Sequence, residues 1–254
     1  MEIIHNLNVK DKTKEGYINL FKILERDGYK WDDIRTTQSF LNQYPIRKQI
    51  DLLNVIIVIR KQLNEPIEDF IKYRDILRPI LQEAVHEKLN DLYVMNITNF
   101  KKLMNDLYKE KKYLEYILNY LCFTYGVRNE DLNLSIGTID DNYLIQEGNK
   151  IIYVRQKYKT HSTYGTKEHI IKDKKFIESY NELPKGKIYE GKQITNFLKK
   201  KLIIPEGNIF KMLIKHYEET NDIKSIKRLS NTRGTSIPTI LSNYNINNKK
   251  YVIH

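Results

Sequence analysis

Four stretches of this chain carry side chains whose types and spacing suit work on a phosphate. The first is Gly126-Val127-Arg128-Asn129-Glu130-Asp131-Leu132, at the end of an apolar helical run. An arginine there, with a carboxylate three residues on, can have its fork fixed by Asp131 and aimed at a phosphate. The same pair also makes an ordinary helix-end ion pair. The second stretch is Tyr153-Val154-Arg155-Gln156-Lys157-Tyr158-Lys159-Thr160, followed by Thr163 to Lys167. Its cations interleave with aromatics as in a nucleic-acid groove, and a lysine at a strand tip can hand a proton to a departing oxygen. A solvated basic edge strand has the same composition. The third runs from Asn208-Ile209-Phe210-Lys211 through Lys215, His216, Lys224, Lys227 and Arg228, a cationic helical face for a polyanion or for water. The fourth is Leu229-Ser230-Asn231-Thr232-Arg233-Gly234-Thr235-Ser236, then Thr239 and Tyr244.

Other chemistries find no footing. There is no glycine-rich phosphate loop, no GxSxG turn, no HExxH, and no clustering of the six histidines with carboxylates at metal-ligand spacing. The expectation is chemistry by Arg, Lys and Tyr, with no metal and no cofactor. The single cysteine, Cys122, excludes an internal disulfide framework and a Cys-rich zinc site. No apolar run approaches the length of a membrane span, and the first residues, Met1-Glu2-Ile3-Ile4-His5, lack a signal peptide's basic start and apolar stretch. The expected setting is intracellular, in the cytoplasm or nucleus of a host or carried with a virion, without a membrane partner. Charge is lopsided. Residues 150–254 hold 22 Lys+Arg against 9 Asp+Glu, whereas residues 1–149 hold 21 against 23. Positive charge confined to the last two-fifths reads as a footprint for nucleic acid.

The elements that must position these groups are mostly helices. Apolar residues at helical spacing predict helices from Thr13 to near Gly28, over Thr37–Leu41, over Ile46–Leu63 and from Phe70 towards Leu89, the last broken at Pro79. A hinge is expected over Asn90–Thr98. One long amphipathic helix should then run from an Asn96 cap through Phe123. Tyr143–Ile145 and Lys150–Val154, joined through Gly148-Asn149, predict a hairpin whose second strand reaches Lys159, with Lys167–Ile171 returning. Helices are expected again over Gln193–Lys201, Asn208–Thr220, Ile223–Asn231 and Ile237–Tyr244. The fold class is mostly α with a small antiparallel sheet.

Over about residues 97 to 250 these motifs resemble the tyrosine recombinase (phage integrase) family, as a divergent member from a virus or mobile element. Type IB topoisomerases share the family's catalytic fold. GVRNED is similar to the family's GLRxxE box, which implies that Arg128 is its first catalytic arginine and Asp131 the acidic supporter. The YKT…YGTK hairpin is similar to the one carrying the mobile catalytic lysine, with Lys159 the first match and Lys157 the second. LSNTRGTSIPTILSNY resembles the closing LxxxxGHxxxxTTxxY box, with Tyr244 as nucleophile nine residues after Thr235. The HxxR box falls on Asn208-Ile209-Phe210-Lys211. Lys211 therefore stands for the second arginine, Asn208 for its histidine, and Thr235 for the later His or Trp.

The resemblance implies a tyrosine-recombinase-like catalytic domain over 97–254 and a helical core-binding-like domain over 1–89 that clamps the duplex from the other side. It implies site-specific cleavage and rejoining of double-stranded DNA through a 3′-phosphotyrosyl intermediate, by a homo-oligomer that is tetrameric on paired sites. Lys157, Arg155, Lys167, Lys215, Arg228 and Arg233 are the expected DNA contacts, and Arg228 or Arg233 the expected substitute for the missing guanidinium. Two other functions fit the composition: a DNA binder of this fold that has lost the chemistry, and a basic viral structural or scaffold protein. Convergence of Arg128, Lys159, Lys211 and Tyr244 on one basic surface separates recombinase from scaffold.

Overall fold

The computed structural model describes residues 2–9, 11–90, 95–191 and 193–244. The chain divides into two compact units, Met1–Lys88 and Leu89–His254.

The first unit consists of α1 (Glu2–His5), α2 (Asp11–Arg26), α3 (Ile34–Leu41), α4 (Ile46–Gln62) and α5 (Glu68–Asn90). Helix α4 is apolar around most of its girth, and Leu52, Leu53, Val55 and Ile56 are fully buried. A helix of that kind must lie in a core. Ile4, Leu24, Leu41 and Phe70 close over it. Asp33 starts α3 by accepting a bond from the Thr36 amide at 2.9 Å. The break expected at Pro79 does not occur, and α5 runs through it. Pro79 is exposed, so the carbonyl it leaves without an amide partner can bond water. The expected hinge falls partly on residues 91–94, outside the described residues.

The second unit opens with α6 (Ile97–Lys109) and α7 (Tyr113–Tyr125). Asn96 caps α6 as expected, accepting from the Asn99 amide at 2.8 Å. The single long helix is instead two. Lys111 takes a left-handed conformation (φ +58°) and the Lys112 amide bonds back to the Leu107 carbonyl, which folds Tyr108 against Tyr116. Next come a 3-10 turn (Asn129–Leu132), β1 (Ser135–Ile136), β2 (Asn142–Glu147), β3 (Lys150–Arg155), α8 (His161–Tyr164), β4 (Lys167–Ile171), α9 (Lys174–Asn181) and β5 (Gly186–Lys187). Helices α10 (Ile194–Leu198), α11 (Glu206–Glu219), α12 (Ile223–Arg233) and α13 (Ile237–Tyr244) complete the described part.

The sheet has the order β4-β3-β2-β1-β5. It is mixed rather than wholly antiparallel, because β1 pairs parallel to β2. The expected hairpin is present in register Tyr143↔Val154. Strand β3 ends at Arg155, four residues short of Lys159. The Asn142 side chain accepts the amides of Gln156 and Lys157, both at 3.1 Å, and so ends the ladder where β2 begins. Helix α7 is the axis of this unit, burying Ile117, Leu118, Leu121 and Cys122 against α6, α9, α11 and α12. Leu144, Ile151 and Tyr153 join the same core from the sheet. Among the described residues no helix is long and apolar enough to cross a membrane.

Candidate functional site

Helix α7 stops at Gly126, in the left-handed conformation (φ +62°). A Cβ there would sit 2.8 Å from the Phe210 ring and 3.3 Å from Leu229. Only glycine lets the chain turn this close to α11 and α12. Two residues on, Arg128 is extended (φ −92°, ψ 165°), and its amide donates to Asp131 Oδ2 at 3.0 Å, which closes the 3-10 turn. The Arg128 side chain points elsewhere: Nη1 donates to the Arg233 carbonyl at 2.7 Å.

Asp131 is fully buried, and the same Oδ2 accepts from Arg155 Nη1 at 2.8 Å. Arg155 projects inward from the end of β3 and is 0% exposed. Its Nη2 donates to the Thr232 carbonyl and to His169 Nε2, the latter at 3.3 Å. The Tyr158 ring lies over its guanidinium at 5.1 Å. His169 is stacked on Tyr125 at 4.3 Å, and burial followed by the Arg155 charge pushes its pKa down to about 4. The imidazole is therefore neutral and presents Nε2 as the acceptor for Arg155.

Arg233 ends α12, just before the left-handed cap Gly234. Only 3% exposed, it lies on the Phe210 ring with Cζ 4.0 Å from the centroid. Its Nη1 donates to the Gly126 carbonyl at 2.5 Å and pairs with Glu206 Oε1 at 2.7 Å. Its Nη2 lies 3.4 Å from the Tyr244 hydroxyl. The half-buried Tyr244 ring meets Phe210 edge-on at 4.8 Å. Arg128, Arg233 and Tyr244 thus share one place in the fold. Three guanidinium groups gather against two carboxylates there, and Arg128 makes no ion pair with a carboxylate among the described residues. Burial and then the charge of Arg233 hold the Arg128 pKa below the usual arginine value. An anion beside Arg128 would favour its charged form.

The remaining expected residues divide around this centre. Thr160 Oγ1 donates to the Gly234 carbonyl at 2.7 Å, which fixes the turn bearing exposed Lys159 beside the α12–α13 junction. Half-buried Thr235 lies in that junction, with its amide on the Ser230 carbonyl. Lys157 is drawn away, pairing with Asp141 at 2.7 Å in an exposed position, where that bond raises its pKa. Lys211 is half-buried on α11 and is not the group that meets Tyr244; Arg233 takes that place. Lys215 reaches towards Glu219, 3.9 Å away. Arg228 is exposed on α12, and Lys167 sits over the Tyr164 ring at 5.4 Å.

Arg155 was expected on DNA. The structure places it inside the protein, where both terminal nitrogens are held, Nη1 by Asp131 and Nη2 by the Thr232 carbonyl. Glu206, Phe210 and His169 are the site residues that sequence reasoning missed. Nothing local marks Glu206, which simply follows Pro205 into α11. Among the described residues no group of three His, Cys, Asp or Glu side chains could hold a metal ion. Compared with protein-family models, with curated proteins and with solved structures, the chain matches none of them.

Proposed function

We propose that the carboxy-terminal unit binds duplex DNA and breaks and rejoins it through Tyr244. One observation carries this reading. The Tyr244 hydroxyl lies 3.4 Å from Arg233 Nη2, while Arg128 Nη1 holds the Arg233 carbonyl at 2.7 Å. A phenol and two guanidinium groups from distant parts of the chain are thereby brought together, an arrangement suited to stabilising charge on a phosphorus under attack. The motif resemblance adds the order of the groups along the chain.

In this reading the Tyr244 oxygen loses its proton to solvent and attacks a backbone phosphorus. The P–O5′ bond breaks, leaving a 3′-phosphotyrosyl link and a 5′ oxygen that takes a proton from Lys159. Arg128 neutralises the charge that builds on the phosphoryl oxygens, and Arg233, beside the Tyr244 hydroxyl where the sequence motif placed Lys211, favours the phenolate. Rejoining reverses these steps, and the covalent link conserves the phosphodiester energy, so no ATP is needed. Lys157, Lys167, Lys215 and Arg228 supply outer phosphate contacts. Pairing of two DNA sites by four copies goes with this reading, and sedimentation with and without duplex reads it. The expected clamp role of the amino-terminal unit draws no support from charge, since residues 1–88 hold 15 Lys+Arg against 14 Asp+Glu.

The test is a pool of nicked duplexes of random sequence, mixed with the protein and resolved on a denaturing gel. The expected result is a covalent adduct that Tyr244→Phe abolishes, while duplex affinity changes by less than about threefold, because phosphate contacts dominate it. Lys159→Ala is expected to slow adduct formation about 100-fold, the usual contribution of a positioned general acid. Absence of any Tyr244-dependent adduct overturns the chemistry. A second reading then stands, DNA binding without cleavage. The observation that favours it is Glu206, which lies 2.7 Å from Arg233 and offsets its charge in a site where that arginine is nearly covered.

A further inference from the structure

We infer that Arg155 is the positioning residue of this site, setting Arg128 and Arg233 against each other; the inference rests on the function proposed above. Its guanidinium joins two backbone stretches that are remote in sequence. Nη1 holds Asp131 Oδ2, which also takes the Arg128 amide. Nη2 holds the Thr232 carbonyl, one residue before Arg233. His169 Nε2 also lies 3.3 Å from Nη2, and Tyr158 covers the guanidinium. At 0% exposure it cannot touch DNA itself. The Arg128 Nη1 bond to the Arg233 carbonyl spans the same two stretches, so it depends on the register that Arg155 maintains.

Stability alone does not explain a cation here. Well-packed apolar residues commonly replace a buried ion pair at no loss. What they cannot do is grip two acceptors from two segments at fixed separation. A lysine cannot do so either, because its single ammonium lacks the planar fork. Arg155→Lys therefore keeps the charge and loses the link. A displacement of about 1 Å between groups that must act together costs about 100-fold in rate.

The experiment uses the full chain with Arg155→Lys and two readouts. Nitrogen NMR of the Arg128 guanidinium needs neither DNA nor activity. In the wild type the bond to the Arg233 carbonyl slows rotation about Nε–Cζ and separates the two Nη signals; in Arg155→Lys they are expected to merge. On nicked duplex at saturation, adduct formation is expected to slow about 100-fold with the Kd changed by less than about threefold. An Arg155 that only stabilised the fold would lower Tm and leave the Arg128 signals and the rate per folded molecule unaltered. Either of those unaltered results overturns the inference. Should Arg155→Lys fail to fold, Asp131→Asn keeps the shape and weakens the same grip. Merged Arg128 signals are expected there, and separated ones overturn the inference. A wild type that forms no adduct strikes the proposed chemistry alone, since the NMR arm still decides the positioning.

Discussion

Replacing Arg233 with methionine is the sharpest test of how this site is held together. The Arg233 side chain is 4% exposed and that of Glu206 is 12% exposed, with 2.7 Å between them. Methionine keeps much of the packing on Phe210 but strands the Glu206 carboxylate and the Gly126 carbonyl. Breaking a buried pair by removing one partner costs about 3–5 kcal/mol. The first turn of α11, where Glu206 sits, favours an anion and recovers about 0.5 kcal/mol of that. The expected loss is about 3 kcal/mol, a fall in Tm of about 6–12 °C for a unit of this size. Glu206→Gln in the same chain removes the stranded charge and should restore about 2 kcal/mol. Glu206→Gln alone should cost about 1–2 kcal/mol, because Arg233 then faces a neutral acceptor. Thermal melts of the four proteins close a double-mutant cycle. A loss under about 1 kcal/mol for Arg233→Met, or an equal effect of Glu206→Gln in both backgrounds, would refute the pairing as the holder of this site.

Two further outcomes follow from the same geometry. Gly126→Ala forces a side chain into a left-handed position and within 2.8 Å of Phe210, so denaturant melts should show a loss of about 2–4 kcal/mol; an unchanged midpoint would remove Gly126 as the reason α7 turns here. His169, held neutral with its pKa at about 4, is free to take a proton near pH 6.5 when unfolded, so the unfolded chain binds more protons between those values. Stability should therefore fall as pH drops from about 6.5 to about 4, by up to about 3 kcal/mol, and His169→Gln, which still offers Arg155 an acceptor, should flatten that slope in pH-dependent melts.

Much of the scaffold was legible because it is local. Apolar spacing in α4 and α11, the Asn96 cap and the Gly148-Asn149 turn each act within a few residues, and all appear where the pattern puts them. The misses have physical causes of their own. The break between α6 and α7 uses Lys111 in a conformation that sequence reasoning reserves for glycine or asparagine. Strands β1 and β5 are two residues long, too short for any alternation to register. The inward position of Arg155 was readable after all. Ile151, Tyr153 and Arg155 alternate on the buried face of β3, so the period of two that places Ile151 in the core places the arginine there as well. Which cation would stand beside Tyr244 was readable only as a choice among Lys211, Arg228 and Arg233. Lys211 held the motif position, but contact depends on how α12 crosses α11, and that crossing puts Arg233 on Phe210.

That crossing also changes what the charge of this region means. The excess of cations over residues 150–254 counts Arg155 as free, yet Asp131, outside that stretch, lies 2.8 Å from it, and Arg233 is paired with Glu206 at 2.7 Å. With those two offset, the attraction for an anion at the centre comes from Arg128, half-buried and already disfavoured by its neighbour Arg233. A cation in that setting is poorly screened, so a phosphate oxygen gains more there than at a solvated lysine such as Lys157. In the proposed reading the outer lysines would then govern how tightly and how salt-dependently duplex is held. Arg128 would govern what happens to the one phosphate that reaches it. A protein built this way should lose chemistry without losing DNA when Arg128 is replaced, the reverse of what a uniformly basic surface would do.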